Sequence, residues 1–181
     1  MSLFYKKTTF YILLVATIGM IVAMFIQGRP LTLPGTPAGI VSLELAATDA
    51  NVQAVLETWK EAGNTDAELI QVAINNTRLD FLFLLCYALF LFTVAKQISR
   101  FYAHKKMFNV VAWMAILSAV LDIIENMGML NSLNGEGNDA IAFATAAAAY
   151  FKWIAVILVI VFLLLAVLHK LVFKQNRQPL N

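Results

Sequence analysis

The sequence predicts an all-α polytopic membrane protein, with four transmembrane helices and a short helical extracytoplasmic cap. Three observations lead there. Hydrophobic residues make up 61% of the 181-residue chain and charged residues only 13%, well outside the range of water-soluble domains. Four continuous apolar stretches each approach or exceed the ~20 residues that ~30 Å of hydrocarbon requires. Charge then divides by segment. Lys6 and Lys7 precede the first stretch; Lys96, Arg100, Lys105 and Lys106 separate the second from the third; Lys170, Lys174 and Arg177 follow the fourth. These three segments contain no Asp or Glu, and all 11 acids of the chain lie elsewhere. Cytoplasmic flanks are enriched in Lys and Arg, so both termini are expected inside and the two remaining connections outside.

The spans are expected at about Thr8 to Ile26, Phe81 to Gln97, Phe108 to Leu130 and Ala142 to His169. Their runs are unbroken rather than alternating, which selects helices over barrel strands, because lipid leaves backbone groups no partner outside the segment or a closed barrel. The first stretch starts like a signal peptide, but its core is long and no small-x-small site precedes Gln27-Gly28-Arg29-Pro30, so it is expected to remain as a span. The last exceeds the bilayer and should tilt or project.

Between the first two spans, residues 27–80 form an insertion too long for a plain loop. Thr36-Pro37 has the form of an N-cap followed by proline at the first helical position, opening an apolar segment from Pro37 to Ala47 that contains Glu44. Thr48 or Asp49 is expected to cap a helix whose Val52, Val55, Leu56 and Trp59 recur at helical spacing. Trp59 is expected to anchor that helix in the membrane interface. Gly63 should stop it, and Thr65-Asp66-Ala67-Glu68 has the form of a capping box opening a helix that runs through Arg78 into the second span. The second outer connection, from Asn131 to about Asp139, is short and contains Gly135 and Gly137.

Polar residues inside the spans are the candidate site. Asp122, Glu125 and Asn126 stand at i, i+3 and i+4 and share one face with Ser118. Lys152 lies within the fourth span, and Arg78 and Asp80 at the edge of the second. A charge near the bilayer centre costs at least ~2.5–3.5 kcal/mol and normally faces a partner or a cavity. At ~1.5 Å per residue, Asp122 sits roughly 12 Å and Lys152 roughly 15 Å below the outer boundary, and Tyr87, on the face of Asp80, reaches a similar level. An Asp122–Lys152 pair is expected, with Tyr87 or Tyr150 donating hydrogen bonds and the run Ala146 to Ala149 letting helices approach. Trp153 is expected beside Lys152. Asp80, Asp122 and Glu125 outnumber Lys152; Arg78 could offset one acid at the rim, and Glu44 would deepen the excess if it packs over the mouth.

Four functions are compatible with this cluster. It could be an outward-facing pocket for a small ligand, a lipid head group or a partner subunit. It could be a structural network that sets helix packing in a scaffold or accessory subunit, since buried ion pairs can fix register. A membrane-embedded acid–base or metal-dependent enzyme or a small proton- or cation-coupled transporter are further readings. Against the last stands the absence of a visible repeat, an objection that a homo-oligomer would weaken. No catalytic residue, metal ligand set or cofactor motif stands out. His104 and His169 fall near the inner face, no H-x-x-x-H or glycine-rich phosphate loop occurs, and Cys86 is the single cysteine, which excludes an intrachain disulfide. The acidic outer face argues against nucleic acid, and the lipid bilayer is the one partner the composition implies.

The segments Gly39 to Ala46 (GIVSLELA), Asp80-Phe81-Leu82-Phe83 with Tyr87, Leu121 to Asn126 (LDIIEN) and Lys152 together resemble those of small, uncharacterised bacterial four-helix integral membrane proteins, over most of the chain. The resemblance implies a bacterial inner-membrane setting and carries no activity.

The charge pattern makes a direct prediction. In a background with Cys86→Ser, a cysteine at Lys60 should react with an impermeant thiol reagent added to cells whose outer membrane, where present, has been permeabilised. A cysteine at Lys105 should react only after lysis. The reverse labelling pattern would invert the topology.

Overall fold

The computed structural model describes residues 3–102 and 105–175, without the side chains of 173–175. His104 and Arg177, and the side chain of Lys174, lie outside what is described. Among the described residues the chain is helical, with no strand beyond a single bridge between Leu33 and Thr36. The helices are α1 (Lys7–Gly28), α2 (Val41–Glu44), α3 (Asp49–Ala62), α4 (Glu68–Ser99), α5 (Lys105–Leu133) and α6 (Asp139–Gln175). Four stretches are long and apolar enough to cross a membrane: Lys7–Leu31, Glu68–Ser99, Lys105–Leu133 and Asp139–Val172.

These long helices pack in series. α1 lies along α4, α4 along α5 and α5 along α6; α4 meets α6 over a shorter stretch, and α1 has little contact with α5 or α6. Leu84, Leu91, Ala112, Ala115, Val159 and Leu163 form the core of the α4–α5–α6 part. α1 is held to α4 mainly at its ends. At one end Asn76 Nδ2 donates to Met24 O at 3.2 Å and to Gln27 Oε1, while Gln27 Nε2 donates to Val72 O at 2.8 Å. At the other, Gln97 Nε2 donates to Phe4 O and Lys6 O, and Phe10 stacks against Phe90.

The helices α2 and α3 form the cap, with a core of Leu31, Leu43, Val52, Leu56 and Trp59 set against Ala73, Met129 and Ala142 of the long helices. Thr48 Oγ1 accepts the Asn51 N–H, so Thr48 is the N-cap of α3, and Gly63 ends the helix. The Asp49 N–H donates to Asp139 Oδ1 at 2.7 Å, joining α3 to the start of α6.

Three local expectations are corrected. Thr36 opens no helix: its hydroxyl donates to Leu31 O at 2.8 Å and accepts from Trp59 Nε1 at 3.1 Å, and turns follow Pro37 until α2 begins at Val41. Gly39, at φ +60°, makes the turn that aims α2 back over the long helices. Trp59 is fully buried rather than interfacial, because its indole N–H finds Leu31 O and Thr36 Oγ1 inside the cap. Thr65 does not close a capping box. Glu68 reaches back instead to the Asn64 backbone and side-chain N–H groups at 2.8 and 2.9 Å.

α5 and α6 approach closely at Gly128, where a Cβ would collide with the Thr145 side chain. Thr145 Oγ1 donates to Ile141 O at 2.8 Å, which holds that side chain in place. Gly128→Ala should therefore lower stability by about 1–3 kcal/mol, the range for an added methyl in a filled contact. Adding Thr145→Ala should recover more than half of the loss in detergent unfolding. Additive effects of the two changes would mean that the helices are not in contact there.

Candidate functional site

Each polar side chain of the site stands on the inward face of its helix. On α5 the buried positions Ala115, Ser118, Ala119, Asp122, Glu125, Asn126 and Met129 form one stripe, while Ile123, Ile124 and Met127 point outward. The i, i+3, i+4 spacing thus places both acids and the amide against α4 and α6. On α6, Ala148, Ala149 and Ala155 are buried around Lys152. Small side chains there let the backbones close in and leave the lysine room to reach across.

Lys152 Nζ is the centre of the cluster. It lies 2.7 Å from both oxygens of Glu125, 3.1 Å from Asp122 Oδ1 and 3.7 Å from Glu44 Oε2. Glu125 Oε1 takes the aligned hydrogen bond, whereas Oε2, at the same distance, feels the charge without an aligned N–H. Tyr87 Oη donates to Asp122 Oδ2 at 2.8 Å, and Asn126 Nδ2 donates to Asp80 Oδ2 at 2.7 Å. Trp153 Nε1 donates to Glu44 Oε2 at 3.4 Å, and its ring centroid is 5.2 Å from Lys152 Nζ. Glu125 and Asn126 are completely buried, and Lys152 is 6% exposed.

The expected Asp122–Lys152 pair is present, and Glu125 and Glu44 share the same ammonium. Glu44 belongs to the cap, so α2 closes directly over the cluster and adds to its excess of acid. Of the two candidate tyrosines, Tyr87 makes the hydrogen bond and Tyr150 is 55% exposed. Arg78 stands apart: it is exposed and forms no ion pair with any described residue, because its position on α4 turns away from Asp80. Ser118 is buried but turns its hydroxyl to Ala115 O. Among the described residues no three His, Cys, Asp or Glu side chains converge to hold a metal ion; the ammonium occupies the point where Glu44, Asp122 and Glu125 meet.

The cluster forms one end of a cleft of about 790 Å³, within the size range of small-molecule sites. Its polar end is lined by Glu44, Asp80, Tyr87, Asp122, Lys152 and Trp153. The walls beyond are apolar: Phe83, Phe90 and Val94 of α4 form the floor, Phe10, Ile21 and Met24 of α1 one side, and Val156, Ile160 and Leu164 of α6 the other. From Asp80 to Ile98 the floor extends about 27 Å at ~1.5 Å per residue. This cleft exists because α1 is pinned near its ends and has little contact with α6.

One lining residue had no signal in the sequence. Thr17, on α1, is 8% exposed, borders the cleft and has no hydrogen-bond partner for its hydroxyl among the described residues. A threonine in an apolar helix ordinarily satisfies itself on a carbonyl of the preceding turn, and only the three-dimensional arrangement shows that this one does not.

No family model, curated protein or solved structure matches the chain.

The geometry ranks the acids around Lys152. Lys152→Met removes the only donor to Glu125 among the described residues, so stability should fall by about 3–5 kcal/mol, as for other buried pairs that lose one partner. Glu125→Gln in that background should recover more of the loss than Asp122→Asn, because Asp122 keeps the Tyr87 hydroxyl. Equal rescue by the two, measured by unfolding in detergent, would contradict this ranking.

Proposed function

We propose that this chain is an integral membrane protein that binds an amphiphile, with the polar group at the Lys152 cluster and the apolar part along the cleft between α1 and α6. The observation that carries this reading is the continuity of the cleft: one cavity has a charged end and apolar walls over the rest of its length. Four carboxylates and an ammonium could stabilise a fold without any cavity beside them. A long apolar cleft leading away from them is what a molecule with a head and a tail requires.

Membrane insertion is supported by the outward faces of the long helices. Tyr11, Val15 and Phe25 of α1, Val110 and Leu117 of α5, and Phe151, Leu158 and Leu165 of α6 are all strongly exposed, a surface suited to lipid and costly in water. The split of basic and acidic segments supports an orientation with the termini in the cytoplasm and the cap outside. The likeness to small bacterial four-helix membrane proteins favours the bacterial inner membrane. In that orientation the cluster lies in the outer half of the bilayer, and the cleft extends inward from it.

The structural reading keeps a defined share. Glu125 is completely buried, does not border the cleft and holds Lys152 through both oxygens. Glu125 and Lys152 therefore serve to lock α5 to α6, while Glu44, Asp80 and Asp122 are the acids presented to a ligand.

The test is occupancy of the cleft. Native mass spectrometry of protein released from its membrane in a mild non-ionic detergent should show a retained molecule of lipid-like mass. Val156→Trp, which fills the cleft near its polar end, should abolish retention with little change in thermal unfolding. No retained molecule in the unsubstituted protein, or equal retention in both, would overturn the proposal.

A further inference from the structure

We propose that the polar group accepted by the cleft is a cation, and that the ligand is an apolar chain ending in an amine. This rests on the amphiphile reading above and adds the sign and kind of the head group.

The cluster is acidic on balance and has no cation to spare. Glu44, Asp80 and Asp122 border the cleft, Glu125 lies behind them, and Lys152 is the one cationic side chain among them. A lysine has three N–H donors and no acceptor. Here its ammonium already faces Glu125, Asp122 and Glu44. It has nothing left for an incoming phosphate or carboxylate, which would also have to sit against the oxygens of Glu44 and Asp80. A cation meets no such opposition, and burial makes compensation of the surplus charge worth more than it would be in water.

Acceptors without donors border the same end of the cleft. Asp80 Oδ2 takes the Asn126 amide and Glu44 Oε2 takes Trp153 and the lysine charge; Asp80 also lies beside the Asp122 carboxyl, but no N–H of a described residue reaches Asp80 Oδ1 or Glu44 Oε1. Thr17 supplies a third. In the antiparallel α1–α4 pair, Met24 contacts Asn76 and Phe10 contacts Phe90, so Thr17 stands level with Phe83, between Asp80 and Tyr87. Thr17 borders the cleft, and its hydroxyl is buried with no hydrogen-bond partner among the described residues. An unmade hydrogen bond at a buried polar atom carries a penalty, and a ligand donor at this level would remove it. A primary ammonium has three N–H donors, one each for a carboxylate oxygen of the floor, a carboxylate oxygen of the cap and the hydroxyl on the α1 side. The hydrocarbon then lies along Phe83, Phe90, Val94, Val156 and Ile160.

The experiment uses the full chain in non-ionic detergent with three chain-matched probes: dodecylamine, dodecanol and dodecanoate, each added as monomer below its aggregation threshold. Dodecylamine should bind about 10-fold more tightly than dodecanol, whose hydroxyl can donate one hydrogen bond to the same oxygens but carries no charge, and dodecanoate should bind most weakly. Asp80→Asn should remove most of the advantage of the amine over the alcohol. Thr17→Val, which disturbs no hydrogen bond within the protein, should weaken amine binding about 3–10-fold, and Thr17→Ser should restore it. A phosphatidylethanolamine should not displace dodecylamine, because its phosphate would have to follow the amine into the acidic end of the cleft; displacement by it would overturn the charge argument. Equal binding of amine and alcohol, or preference for dodecanoate, overturns the cation while leaving the amphiphile site standing. Failure of all three probes to bind, with Val156→Trp also without effect on retained molecules, overturns the site itself.

Discussion

The structure depends on one buried ammonium. Lys152 is placed among helices whose other faces are apolar, where an unpaired charge would be among the costliest groups the fold could hold. Three carboxylates reach it from two separate elements: Glu44 from the cap, Asp122 and Glu125 from α5. The position of α6 against α5, the docking of the cap over the long helices and the shape of the cleft's polar end are therefore parts of one electrostatic problem. Buried pairs of this kind add little net stability compared with apolar packing, but they penalise every arrangement that separates their members. The alanines around Lys152 and the absence of a side chain at Gly128 allow the helices to come close enough for the solution found here.

The cap does more than cover the helices. Trp59 carries its indole into the cap core and binds the Leu31 carbonyl and the Thr36 hydroxyl, which fixes the connection leaving α1. The turn at Gly39 then directs α2 so that Glu44 meets Lys152 and Trp153. A carboxylate from outside the long helices thereby becomes part of their interior. The cleft is bounded by the same elements, so the side chains that hold the cap in place also set the chemistry at its mouth.

Much of this was legible in the sequence because the physics involved is local or one-dimensional. Continuous apolar runs identify the long helices, and the i, i+3, i+4 spacing of Asp122, Glu125 and Asn126 identifies an inward face whatever it packs against. Depth arithmetic along two spans was enough to pair Asp122 with Lys152. What failed required knowledge of a third dimension. Thr36-Pro37 and Thr65 carry the chemistry of helix starts, but a competing partner decided each outcome: Trp59, distant in sequence, together with the Leu31 carbonyl for Thr36, and the local reach of Glu68 back to Asn64 for Thr65. Arg78 lies two residues from Asp80, and that short separation turns it to a different side of the helix. Thr17 was invisible because its meaning lies in a bond that it does not make, and no spacing rule records an absence.

The order of the cluster along the chain has a consequence for how the protein is made. Glu44, Asp122 and Glu125 all precede Lys152, which follows Glu125 by 27 residues. At ribosomal rates of ~5–20 residues per second, Glu125 exists for roughly 1–5 s before its counter-ion is synthesised, and Asp122 and Glu44 for longer. During vectorial synthesis the incomplete protein is thus a set of carboxylates that no native ammonium can neutralise, with α5 able to pack along α4 through the Tyr87–Asp122 and Asn126–Asp80 hydrogen bonds but with Glu125 still unpaired. The arrival of one lysine on α6 closes that gap.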